Sequence, residues 1–221
     1  MMQAAFESEK AVHSFIPEYA PRPISHGSYR SQPYTHFFLV EFVEMDDVHP
    51  DPAGWATVVS TLHRRSMAVA PREMFGFHAD GYLANVPSSN TKFASWEKFW
   101  SHQLRSMCEE EERRRGRSED FTRLKDIFFD LVIPRFLWPL ESDGRTVQAC
   151  FVHNDLWPGN IKPRKGMPGA LCLFDSAGFW GQKVRALNLS RNLVKTYWFA
   201  QLISRFADRE HGTLSWLVRC T

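Results

Sequence analysis

Only four cysteines occur in the 221 residues, and no two of them form a C-x-x-C pair, which argues against a zinc site. Cys150 and Cys172 lie inside apolar runs, where a free thiol behaves as a small hydrophobe. The reading is reduced cysteines and a cytoplasmic setting. Charge of either sign is not in excess. With 27 Lys and Arg against 25 Asp and Glu the net charge is +2, so no nucleic-acid footprint is expected. The basic run at 113–117 directly follows acids at 109–112 and reads as a solvated helix end and loop. No long apolar stretch is present either. The most apolar one, residues 127–140, carries Asp130, Pro134 and Arg135, which excludes a membrane span. The first residues lack the basic start and apolar core of a signal peptide, and no internal repeat appears.

What is present is a core. Hydrophobic residues make up 43% and aromatics 14%, enough to bury one sizeable domain. Residues 6–15 read as a short helix with Ala11, Val12 and Phe15 on its apolar side, and Pro17, Pro21 and Pro23 then mark a loop. Residues 35–43 are nearly continuous in apolar character, which predicts a strand covered on both faces. Trp55, Val58, Val59 and Leu62 give the i, i+3, i+4, i+7 stripe of a helix, closed by His63, Arg64 and Arg65. His63 reads as a packing or capping residue. Phe93, Trp96, Phe99, Trp100, Gln103, Leu104 and Met107 give a second helix, with its aromatic stripe in the core. Ser118 caps a third, with Phe121, Leu124, Phe128, Leu131 and Val132 buried until Pro134 ends or kinks it.

The chemistry sits further on. Residues 150–152 and 171–174 are short apolar runs, each ending in acid. The first stops at His153-Asn154-Asp155-Leu156-Trp157-Pro158-Gly159-Asn160, a loop rich in turn formers, and the second at Asp175. Two strands ending side by side would bring Asp155, Asn160 and Asp175 to one point. Phosphoryl transfer needs such a set: an Asp that takes the proton of the attacking hydroxyl, an Asn five residues on, and a second Asp. The last two suit Mg²⁺, which takes a few oxygen ligands and keeps several waters. Asp155 and Asn160 alone are also ordinary turn residues; His153, the spacing and Phe174-Asp175 favour chemistry.

These motifs, H-N-D-L-W-P-G-N followed by L-F-D-S-A-G-F-W, resemble the fructosamine kinase (ketosamine-3-kinase) family, within the kinase-like phosphotransferases that include aminoglycoside and choline kinases. Asn154 stands where the family has Gly. The resemblance implies a protein-kinase-like α+β fold, with an incomplete N-lobe (1–45) and a mostly helical C-lobe (46–221). It implies ATP and Mg²⁺ as cofactors, and phosphorylation of a sugar 3-hydroxyl on glycated protein lysines or small ketosamines. Asp155 would deprotonate that hydroxyl, Asn160 and Asp175 would hold Mg²⁺, and His153 would brace the loop. Trp157 would stack on the sugar or anchor the loop. Backbone groups of Glu41, Phe42 and Val43 would face the adenine. Glu7 and Glu9 are the candidates for the helix acid that pairs a nucleotide-holding Lys. Phe75-Gly76-Phe77, with Asn85, Pro87, Asn90 and Thr91, would lie near the acceptor.

The resemblance spans roughly residues 6–181. Upstream of Phe6 the sequence has neither a Gly-containing phosphate loop nor a Lys on a strand, and Lys10 lies inside the predicted helix. Residues 182–221 depart from the family but can form an amphipathic helix through Leu187, Leu193, Tyr197 and Phe206. A truncated reading frame or a degenerate copy accounts for both ends. The competing functions are a non-catalytic pseudokinase acting as a binding module, and a phosphotransferase for another small acceptor, against which Trp157 and Gly159 argue.

Overall fold

Among the described residues every strand finds its partner in an antiparallel hairpin or a short two-stranded ladder. The computed structural model describes residues 2–72, 74–83 and 86–183. Helix α1 (Met2–Phe15) buries Ser8, Glu9 and Val12. It is followed by a hairpin of β1 (Pro23–Tyr29) and β2 (Gln32–Val40). Helix α2 (Pro52–Met67) starts where Asp51 accepts the Gly54 N–H and Pro52 occupies the first turn, and it buries Val58, Leu62 and His63. Strands β3 (Gly81–Leu83) and β4 (Val86–Ser88) pair with each other. Helix α3 (Trp96–Arg115) begins at Ser95, buries Trp96, Phe99, Trp100, Gln103 and Leu104, and stops at Gly116 with φ 84°. The acids and bases at its end pair internally, Glu110 with Arg113 and Arg114, Glu111 with Arg115.

Helix α4 (Glu119–Ile127) has Ser118 at its cap position, but the hydroxyl makes no capping bond. Pro134 does not end this helical run. A π-helical turn at Phe128–Val132 leads into α5 (Ile133–Leu137) and a 3-10 turn at Trp138–Leu140, because the wider turn absorbs the missing N–H and the bulk of the proline ring.

Two expectations fail at the hairpin. The proline-rich segment after α1 contains β1. Strand β2 is not covered on both faces: Tyr34 is 96% exposed and Leu39 is 50% exposed. The hairpin packs on α1 instead, where the Phe6 ring lies 4.9 Å from His26 of β1 and 6.3 Å from Phe38 of β2.

The remaining strands are three residues long and deeply placed. Strand β5 (Cys150–Val152) pairs with β8 (Phe179–Gly181), and β6 (Ile161–Pro163) pairs with β7 (Leu171–Leu173). Gly76 extends the first ladder by exchanging backbone bonds with Trp180, and Phe75 pairs onward to Phe93. Phe151 sits at the centre, fully buried, with the rings of Phe15, Phe77 and Trp180 at 5.9, 5.3 and 5.6 Å. Each such aromatic pair adds about 0.5–1.5 kcal/mol beyond its buried area. No described helix is long and apolar enough to cross a membrane. The amphipathic stripe from Leu187 to Phe206 lies outside the described residues.

Candidate active site

Strand β5 delivers the chain to the site, and the loop after it is shaped residue by residue. Asn154 takes φ 64°, the left-handed region that Asn tolerates better than most side chains, and its Nδ2 donates to the carbonyl of Ala177. Asn therefore meets the backbone demand that Gly would otherwise meet, and adds a tether. Trp157 accepts the Asn160 N–H to close a turn. A Cβ on Gly159 would lie 2.1 Å from the Trp157 ring, so the indole covers a position only glycine can fill. Trp157 thus packs over its own loop. Asn160 is 4% exposed, and its Nδ2 donates to both the carbonyl and Oδ2 of Asp155 at 2.9 Å. The two residues act as one unit, with the amide oxygen of Asn160 turned away from Asp155.

The sequence reading had β5 and β7 ending side by side. They do not share a ladder, since β5 takes β8 and β6 takes β7. The ends are joined through the loops instead. Phe174 donates its N–H to the carbonyl of Asn160 at 3.0 Å, and the His153 ring bonds the carbonyl of Phe174 through Nε2 at 3.0 Å. Ala177 donates its N–H to the carbonyl of His153. Asp175 therefore sits in a turn clamped on both sides by the loop that carries Asp155 and Asn160, in a left-handed conformation (φ 62°), with its side chain at the surface.

His153 is fully buried, and burial pushes its imidazole down to about 4, so it is neutral. A carbonyl only accepts, so Nε2 carries the proton and Nδ1 is left unprotonated, without a hydrogen-bond partner among the described residues. A neutral ring fixed in this way braces the loop. His63, also pushed down to about 4 by burial, is likewise a packing residue.

Helix α1 reaches the same turn. Glu7 and Glu9 lie two positions apart and so face different ways. Glu7 meets His78 at 3.2 Å near the surface. Glu9 points inward, 2% exposed, and takes the Ser176 N–H on Oε1 at 2.6 Å. Burial, and then the Asp175 charge, raise its carboxyl to about 7 against the lowering pull of the Ser176 amide. Its Oε2 is buried without a hydrogen-bond partner among the described residues. Of the two acids, Glu9 is the one that faces inward to the Asp175 turn, and Glu7 lies near the surface.

The segment after β2 is tied into the same region. Glu41 donates its N–H to the carbonyl of Arg22, so that group is committed to the hairpin. Phe42 is 86% exposed and Val43 half-buried. Met45 then bridges to Arg164 beside β6, and Lys162 binds Asp47 at 2.7 Å. Leu173 donates its N–H to the carbonyl of Tyr19. Glu44 to Asp46 thus pair with Pro163 to Lys165, the end of β6 away from Asn160. Phe75 and Phe77 are core residues, and Gly76 (φ 110°) lies so close to the Asn90 and Thr91 carbonyls that a Cβ has no room. Asn85 lies outside the described residues.

This constellation fits a hard cation. It offers an amide oxygen oriented by a carboxylate and an exposed second carboxylate, with no His or Cys between them. Among the described residues no three His, Cys, Asp or Glu side chains gather to hold a metal. A cation here would rest on two protein oxygens, with phosphates and water completing its shell.

The sequence profile of the fructosamine kinase family matches residues 1–199. The chain belongs to the fructosamine kinase family. The match runs past Gly181, where the sequence reading had ended the resemblance. Chloroplastic protein-ribulosamine 3-kinases of Oryza sativa subsp. indica and subsp. japonica are each 25% identical over 155 residues, 70% of this chain and 42% of theirs. The chain thus spans less than half the length of the curated relatives it matches. A solved protein of Haemophilus somnus 129PT assigned as a fructosamine-3-kinase superposes with TM-score 0.61 at 15% identity, covering 96% of this chain and 75% of that one. An aminoglycoside phosphotransferase superposes with TM-score 0.52 at 12% identity over 94% of this chain and 68% of that one. The fold is accordingly kinase-like and α+β.

Proposed function

We propose that this fructosamine kinase family member transfers the γ-phosphoryl group of ATP to the 3-hydroxyl of a ketosamine, a ribulosamine or fructosamine carried on protein lysines or as a small molecule. The observation that carries the reading is the pair of hydrogen bonds that Asn160 Nδ2 donates to Asp155, set beside a turn that presents Asp175. The attacking sugar oxygen forms its bond to the γ-phosphorus as its proton passes to Asp155, and ADP leaves. Asn160 and Asp175 would hold Mg²⁺, which when bound offsets charge on the phosphates. His153, neutral and tied to Phe174, keeps the two acids in register. In this reading residues 1–45 supply a partial N-lobe, and the C-lobe that begins at residue 46 carries the catalytic loop and the metal-binding strand end. The adenine lies against Phe42 and Val43, with Glu41 contributing its carbonyl side because its N–H is taken. Trp157, held over Gly159, supports one wall for the sugar. The setting is cytoplasmic.

A non-catalytic binding module is the second reading, favoured by Glu9 Oε2, which has no hydrogen-bond partner among the described residues at the place where a kinase-like site pairs a lysine. One assay separates the two. Incubation of the chain with ATP, Mg²⁺ and ribulosamine-modified protein should yield a 3-phosphate detectable by ³¹P NMR. Asp155→Asn should lower the rate about 100-fold or more with folding intact. Equal turnover in that variant removes the base role; absence of both turnover and Mg-ATP binding, read by calorimetry, selects the second reading, and micromolar Mg-ATP binding removes it.

A further inference from the structure

The turn that carries Asp175 is joined to α1 by two buried hydroxyls that the reaction as described does not use. Ser8 is 2% exposed and Ser176 is 5% exposed. The Gly178 N–H donates to Ser8 Oγ at 2.6 Å, Ser8 Oγ donates to Ser176 Oγ at 2.8 Å, and Ser176 Oγ donates to the carbonyl of His153 at 3.3 Å. Each hydroxyl accepts or donates in one direction, so the row runs unbroken from residue 178 through α1 and residue 176 to the catalytic loop. Such aligned bonds polarise one another in a dry interior. A hydroxyl buried here without partners would be costly, and neither lacks one.

We infer that Ser8 and Ser176 are positioning residues: their relay locks α1, the catalytic loop and the Asp175 turn into one body and holds Asp175 in its left-handed conformation. Asp175 has φ 62°, where an L-residue stays only if its neighbours hold it. Its neighbours are held at four groups. The carbonyl of Phe174 is held by His153, the amide of Phe174 by Asn160, the amide of Ser176 by Glu9, and the hydroxyl of Ser176 by Ser8. Gly178 seals the far side, because a Cβ there would lie 2.4 Å from the Phe151 ring and 2.7 Å from the Val152 carbonyl. The relay is a geometric statement; its bearing on turnover rests on Asp175 acting as proposed above.

Hydrogen exchange of the free chain tests the relay without any ligand. Ser8→Ala should raise exchange about tenfold in peptides covering residues 173–179 and also in those covering 150–156, although residue 8 lies in neither. Ser176→Ala should do the same, and the double variant should add no more, since one relay is broken once. Ser8→Thr, which keeps the hydroxyl, should recover most of the protection. Exchange confined to α1, or additive effects in the double variant, overturns the inference. In the phosphotransfer assay Ser8→Ala should lower kcat severalfold at unchanged acceptor KM. A wild-type chain without turnover defeats the functional reading, and the exchange result alone then decides the relay.

Discussion

The β1–β2 hairpin and the β5–β8 ladder are both antiparallel and both rich in aromatic residues, yet they are held in opposite ways. The hairpin is long and mostly exposed, closed at its base by the Arg22–Glu41 bonds, and it touches the rest of the molecule through Phe6 of α1 and, in the segment after β2, the Met45–Arg164 bridge. The ladder is three residues long, fully buried at Cys150, Phe151 and Val152, and ringed by aromatic side chains. Ladder length therefore says little about which region is fixed. The residues proposed for chemistry hang from the short, dry ladder, and only the nucleotide-facing segment hangs from the long, wet one.

The comparison breaks most visibly at Phe151. Phe151→Ala should destabilise the chain by about 3–5 kcal/mol in urea unfolding, because it empties the site between Phe15, Phe77 and Trp180. A cost below about 1 kcal/mol would mean the ladder is no better anchored than the hairpin.

Acid comes next. His153 titrates at about 4 folded against an ordinary 6.5, so its contribution is complete above pH 6.5 and lost as pH falls toward 4. His63 behaves alike. For a fully buried ring the loss is on the order of 3 kcal/mol. Glu9 runs the other way: its contribution is present below 4.5 and lost as pH rises through about 7. Unfolding followed between pH 4 and 7 should show a net decline toward acid, since two histidines oppose one carboxyl. His153→Asn should flatten that decline by about one proton's slope, and an unchanged slope would count against a buried neutral His153.

Gly159→Ala should cost about 1–3 kcal/mol and displace Trp157, seen as a shift in its fluorescence, because the added Cβ overlaps the indole. The smallest effect belongs to the hairpin. Tyr34→Ala should change stability by less than about 0.5 kcal/mol, and a larger loss would show that the exposed strand is anchored after all.

Much of the site was legible because it is written in local contrasts. The apolar runs ending at Val152 and Phe174, the turn formers 157–160 and the Asp-to-Asn spacing each survive in the fold. The helical stripes of α2 and α3 were legible for the same reason. Pairing was not, because three-residue strands carry no register signal and β5 chooses a partner that arrives 27 residues later at its nearest end, Phe179 after Val152. β1 escaped because Pro23, Gly27 and two serines mask its alternation. β2 misled because continuous apolarity predicts cover that the described residues do not provide. Ser8 and Ser176 had no signal at all: a serine joins a buried relay through tertiary neighbours alone.

Paramagnetic relaxation by Mn²⁺ bound with ADP addresses the shared centre most directly. Amide signals of the non-proline residues in 155–160 and 174–177 should broaden together at low metal, with α4 and the 113–115 end of α3 untouched, and Asp175→Asn should abolish the effect in both stretches. Broadening of one stretch without the other, or of neither, would contradict a cation site built jointly by Asn160 and Asp175.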